Sequence, residues 1–200
     1  HVSFAYPDAD EKTLDDISFT AKPGQTTAII GSTGSGKSTM LNLIPRFYDV
    51  TEGAVKMDGV DIRDITQEEL REQIGYVPQK GVLFSGSIAS NLQYGKKDAS
   101  YDEMVEAAET AQEMEFIQTK ENGLDEEVSQ GGTNVSGGQK QRLSIARALV
   151  KKARVYLFDD SFSALDFKTD QVLRKALKEK VGDSTIIIVA QRINTVLDAD

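Results

Sequence analysis

The chain has 200 residues, a formal net charge of −9 and no cysteine. That length supports one domain with a real core, and the lack of cysteine removes disulfide and thiol chemistry. The acidic balance argues against a nucleic-acid partner, which would require a basic face, and the longest strongly apolar run, Ile186–Ala190, falls far short of the ~20 residues that span a bilayer.

Taken in chain order, His1–Tyr6 is strand-like and Leu14–Thr20 alternates in part like a half-buried strand. The β-branched run Thr26–Ile30 predicts a strand that leads at once into a glycine-rich stretch, and Ser38–Phe47 follows as a helix. Gly53–Asp58 and Ile74–Val77 are further short strands. Ser100 with Glu103 makes a capping box ahead of Met104–Ala111, and Glu115–Lys120 continues helically. Asn134–Gly138 breaks the pattern. Gly138–Val150 then reads as a helix with Leu143, Ala146 and Val150 on one stripe. Val155–Phe158 and Thr185–Ala190 are expected as buried strands, with a helix from Lys168 to Lys180 between them and Gly182 in its C-cap region. Strands alternating with helices predict an α/β core with a mainly parallel sheet. Residues 1–79 and 153–200 form that core, and 80–152 inserts as a helical segment. The chain opens inside a strand and ends without a cap, so we expect a piece of a larger protein.

Gly31-Ser32-Thr33-Gly34-Ser35-Gly36-Lys37-Ser38 fits G-x-x-x-x-G-K-[ST], with a strand before it and a helix after it. Glycines let backbone N–H groups converge on phosphates, and the helix start adds partial positive charge. Lys37 is expected to reach the β- and γ-phosphates of a nucleotide, and the Ser38 hydroxyl to ligate Mg²⁺. Val155–Phe158 delivers Asp159 to a strand's C-terminal edge, where ligands of such sheets bind. Asp159 is the expected second Mg²⁺ residue; taken alone it would be an ordinary loop-start aspartate.

Val135-Ser136-Gly137-Gly138-Gln139 precedes the helix bearing Gln141-Arg142-Leu143, Gln79 follows the Ile74–Val77 strand, Ser163-Ala164-Leu165-Asp166 follows the Asp159-Asp160 pair, and Tyr6 lies ahead of the P-loop. In this order the motifs resemble the ABC ATPase family over essentially the whole chain. The resemblance implies a P-loop NTPase (RecA-like) core with a mainly parallel sheet, an antiparallel β subdomain and an inserted α-helical subdomain. It implies ATP and Mg²⁺ as ligands, cradled at Gly31–Ser38 and Thr39. Tyr6 would stack on adenine, unless it is simply a buried strand tyrosine. Gln79 would touch Mg²⁺ and the attacking water and link the site to the membrane part, Ser136–Gln139 would face the ATP held by a second ABC domain, and Asp166 would contact the same dimer interface. The segment Phe84–Ile88 with Asn91-Leu92, and Glu126-Glu127-Val128, are similar to exporter-type members. Transmembrane domains would then be partners, and the chain would sit at the cytoplasmic face of a membrane. Where the family carries an acidic residue and Arg before the glycine, this chain has Ser129, Gln130 and Gly131 ahead of Gly132.

Two further departures touch catalysis. Asp160 stands where the family has a glutamate base, and Gln191 where it has a switch histidine. A carboxylate drawn back by one C–C bond misplaces the base by about 1.5 Å, and a 1 Å error can cost on the order of a hundredfold. Glutamine donates a hydrogen bond but cannot become cationic. We therefore expect this chain's own site to hydrolyse slowly, as in the degenerate half of a heterodimeric exporter, while its Ser136–Gln139 loop completes a competent partner site. The alternatives are a regulatory ATP-sensing module, or a soluble ABC ATPase acting on DNA or ribosomes; the latter lacks its usual long or basic insertions here.

Overall fold

The computed structural model describes residues 1–32, 34–191 and 199–200. The first half contains β1 (Val2–Phe4), β2 (Leu14–Ile17), β3 (Thr26–Ile30), α1 (Lys37–Leu43), β4 (Lys56–Met57), β5 (Val60–Asp61), α2 (Gln67–Glu72) and β6 (Ile74–Val77). The middle contains β7 (Gly86–Ser87), α3 (Ile88–Leu92), α4 (Tyr101–Thr110), α5 (Met114–Gln118), β8 (Glu127–Val128) and α6 (Gly137–Val150). The chain closes with β9 (Val155–Asp159), α7 (Phe167–Val181) and β10 (Thr185–Ala190).

Four strands form one parallel sheet in the order β3-β10-β9-β6. β9 and β10 are buried on both faces, which is why they read as continuous apolar runs. Their side chains alternate between two cores. Tyr156, Phe158, Ile186, Ile188 and Ala190 pack with Leu143, Ala146 and Leu173 on the side of α4, α6 and α7. Val155, Leu157, Ile187 and Val189 pack with Leu41, Ile62 and Leu70 on the side of α1 and α2. Each such aliphatic burial contributes about 1.5–3 kcal/mol, so the sheet is held from both faces. A smaller cluster of Phe4, Leu14 and Leu43 seats the antiparallel β1–β2 pair beside α1.

Several boundaries differ from expectation for local reasons. The helix after the P-loop stops at Leu43 rather than Phe47, because Pro45 supplies no N–H and Arg46 turns left-handed at φ 57. Gly53–Asp58 is not one strand: β4 and β5 form a hairpin whose Asp58 and Gly59 both have positive φ, 52° and 78°, the Asp-Gly pair that a two-residue turn favours. α2 is capped by Thr66, whose hydroxyl accepts from the Glu69 amide, a local signal of a helix not expected above. The capping box at Ser100 and Glu103 is formed. α7 runs one residue further than expected at each end, and Gly182 is its C-cap with ordinary helical φ.

Candidate functional site

All four sheet strands run in parallel, so their C-terminal ends share one edge. β3 ends there and turns into the residues of the predicted cradle, β10 ends next to Gln191, β9 ends in Asp159, and β6 leads to Pro78 and Gln79. The candidate chemistry of four distant sequence segments therefore meets at one rim.

Within the cradle, Gly36 adopts φ 92°, and a Cβ there would lie 3.0 Å from Leu14 Cδ2 and 3.2 Å from the Thr13 carbonyl oxygen. Both the backbone and the neighbours demand glycine. At Gly31 the constraint is space: a Cβ would come within 2.7 Å of Ser35 Oγ. The ammonium of buried Lys37 donates to the Gly31 carbonyl and, at 2.7 Å, to the Ser32 carbonyl, with Ser35 Oγ at 3.4 Å. Lys37 is thus folded over the loop it belongs to, and Gly34 beside it is exposed. Thr33 lies outside the described residues.

Ser38, in the first turn of α1, is exposed, and its hydroxyl donates to Asp159 Oδ1 at 2.9 Å. Asp159 is 8% exposed. Its charge also acts on Tyr76: burial first, and then Asp159, push that phenol up to about 12. A hydroxyl and a carboxylate on one rim are hard oxygen donors. They suit Mg²⁺, which takes one or two protein oxygens beside phosphates and water. Among the described residues no group of three or more acidic or histidine side chains gathers elsewhere to hold a metal.

Asp160 follows directly, with φ 48° and its amide donating to the Val189 carbonyl at 2.7 Å. Gln79 Nε2 donates to Asp160 Oδ2 at 3.2 Å, which joins two of the predicted catalytic residues. Gln191 is exposed at the end of β10. Tyr6 is half-buried; its hydroxyl is 2.7 Å from Thr39 Oγ1, and its ring meets Phe4 and Tyr48 edge-on, with centroids 4.9 and 5.2 Å away. The tyrosine is thereby anchored to the P-loop helix, and Thr39, 8% exposed, serves as its hydroxyl partner.

Ser136 and Gln139 form a reciprocal cap at the start of α6: Ser136 Oγ accepts from the Gln139 amide, and Gln139 Oε1 accepts from the Ser136 amide. A Cβ on Gly137 would meet nothing within 4 Å, and one on Gly138 only the Ala164 carbonyl oxygen at 3.8 Å. No hydrogen bond among the described residues joins this loop to the cradle. Asp166 is exposed and caps α7, its carboxylate accepting from the Thr169 amide and hydroxyl at 2.8 Å. The Thr169 amide, with lesser help from the Arg142 charge, holds its carboxyl below the usual range.

Two side chains of α6 that motif reading left without a role tie the helix to its surroundings. Gln141, 2% exposed, donates to the Pro78 carbonyl at 3.2 Å and accepts from the Gly81 amide at 3.1 Å. Arg142 Nε donates to Glu113 Oε2 at 3.1 Å, while Glu113 is fully buried and its Oε1 has no partner. Burial pushes the Glu113 carboxyl up to about 8 against the pull of Arg142. Both contacts are tertiary, so no local pattern announces them.

A family profile described as ABC transporter matches residues 14–163. The chain belongs to the ABC transporter family. It is 52% identical, over 99% of its length, to an uncharacterised ABC transporter ATP-binding protein of Mycobacterium bovis, of which it covers 34%. It is 43% identical, over its full length, to an ATP-dependent lipid A-core flippase of Chromobacterium violaceum, again covering 34%. Among solved structures, a bacterial Atm1-family ABC exporter with ATP bound matches with a TM-score of 0.95 and 42% identity, over all of this chain and 35% of that one. The ABC domain thus spans about a third of the length of these relatives, and it is homologous to exporter ATPases. Among the described residues no helix is long and apolar enough to cross a membrane.

Proposed function

We propose that this ABC domain binds Mg·ATP at Gly31–Thr39 and powers an exporter from the cytoplasmic face of a membrane, paired with a second, non-identical ABC domain and with transmembrane domains. The observation that carries the reading is the shared rim, where Ser38 and Asp159 lie within hydrogen-bond distance and Gln79 holds Asp160. The main-chain amides of residues 31–38 bind the phosphates, and Lys37 exchanges the Gly31 and Ser32 carbonyls for phosphate oxygens. Tyr6, fixed by Thr39, stacks on adenine. Ser38, Asp159 and Gln79 hold Mg²⁺, which supplies charge neutralisation on the phosphates when bound.

Hydrolysis at this rim is slow, because Asp160 reaches less far than glutamate and Gln191 carries no proton to pass on. The capped start of α6, open around Gly137 and Gly138, faces the ATP of the partner domain, where turnover is fast. The domains close on ATP and open on hydrolysis, which drives alternating access in the membrane part. Calorimetry with Mg·ATP tests the binding claim, and no heat of association sinks it. In the assembled transporter with its partner, Asp160→Glu combined with Gln191→His is expected to raise turnover of this site by roughly 10²-fold or more; no gain there rejects the slow-site reading.

A further inference from the structure

Gln79 is the residue of β6's exit loop that touches Asp160, and it sits between the two backbone groups gripped by Gln141. Pro78 offers its carbonyl and Gly81 its amide to the same amide side chain, at 3.2 and 3.1 Å. This is a two-pronged bond to main chain, and at 2% exposure water does not compete with it. The packing beneath it is equally tight. A Cβ on Gly81 would fall 2.9 Å from the Lys140 carbonyl oxygen, so α6 and the loop touch backbone to backbone. Arg147, farther along α6, donates to the Val82 carbonyl at 2.8 Å and extends the seam. Ser161, one residue past Asp160, donates to the Val77 carbonyl at 2.7 Å and closes the other side of the loop. The loop therefore cannot shift relative to α6 without breaking Gln141's bonds, and α6 begins two residues before Gln139 ends its cap.

We propose that Gln141 is a positioning residue that couples the two nucleotide sites, by fixing the Gln79 loop to the helix whose start faces the partner's ATP. The claim rests on the reading that Ser136–Gln139 complete a partner site. Movement of α6 on closure then carries Pro78–Gly81 with it, and Gln79 changes its hold on Asp160 in the same motion. Amides elsewhere on α6 do not do this, because Gln141 alone among the described side chains bonds on both sides of Gln79.

The test uses the full-length transporter assembled with its partner. Gln141→Met keeps the volume of the side chain but removes both hydrogen bonds. It is expected to lower ATPase kcat about tenfold with the KM for ATP within about twofold. Gln79→Ala is expected to cost little more in the Gln141→Met background than the background has already lost, since the two act in one connection. Additive losses, or an unchanged kcat in Gln141→Met, overturn the proposal. Should the variant fold poorly, hydrogen exchange in the unmodified transporter decides: protection of peptides covering 78–83 and 136–141 should rise together on adding Mg·ATP. Independent changes overturn it. Ser136→Ala separates the two failures. If that change leaves turnover intact, the partner-site reading is wrong; if it lowers turnover while Gln141→Met does not, only the coupling is wrong.

Discussion

The two glycine-bearing helix starts of this domain solve opposite problems. At α1 the glycines answer to the chain itself: Gly36 is forced by its backbone and by Leu14, Gly31 by Ser35, and no side chain caps the helix. At α6 the reverse holds. Ser136 and Gln139 satisfy the first amides, and Gly137 has no neighbour that would exclude a methyl group. Gly137 is thus a glycine that the packing of the domain does not require. On the function proposed above, the difference separates a cradle built for this domain's own nucleotide from a helix start that serves the partner's.

Substitutions put that contrast to the test. Lys37→Ala removes charge-assisted bonds to phosphate and should weaken Mg·ATP binding about a hundredfold by calorimetry; a loss under threefold would remove the cradle from the first side of the comparison. Gly36→Ala forces a Cβ into φ 92° against Leu14. A cost of about 2–3 kcal/mol should lower Tm by roughly 5–10 °C in a domain of this size. Glu113→Gln is next. The folded-state pKa of about 8 lies above the unfolded carboxylate value, so this group's stabilisation is complete below about pH 4.5 and is lost as pH rises towards 8. The variant should therefore melt a few degrees above the parent at pH 8.5, with the gap closing by pH 5. Gly137→Ala should have the smallest effect on the fold, leaving Tm unchanged or raised by roughly 1–4 °C, since alanine gains about 0.5–1 kcal/mol over glycine in a helix. In the assembled transporter the same change should nonetheless reduce partner-site turnover about tenfold. A large drop in Tm would show that α6 needs its glycine for itself.

Much of the site was legible because its chemistry is local. Residues 31–38 carry their own spacing, and Asp159 announces itself at the end of an apolar run. The stripe of Leu143, Ala146 and Val150 identified α6, and all three are buried. The short elements were harder. The Asp58-Gly59 turn and the Thr66 cap were present as local signals, yet β4, β5 and α2 are too brief for periodicity to outvote a longer strand or a loop. The contacts of Tyr6 with Thr39, Gln141 with Pro78 and Gly81, and Glu113 with Arg142 join residues 29 to 63 positions apart. Such pairings are fixed by the packing of whole elements, which no window of sequence contains.

Asp160 occupies a left-handed backbone conformation, at φ 48°. Among residues with a side chain, aspartate and asparagine enter that region at little cost, and a longer acid enters it less readily. The short carboxylate is thus matched to the corner it occupies. On the proposed slow-site reading, installing the longer acid sets local comfort against reach, so the Asp160→Glu variant should turn over faster and be somewhat less heat-tolerant, and selection on either trait alone would pull this position in opposite directions.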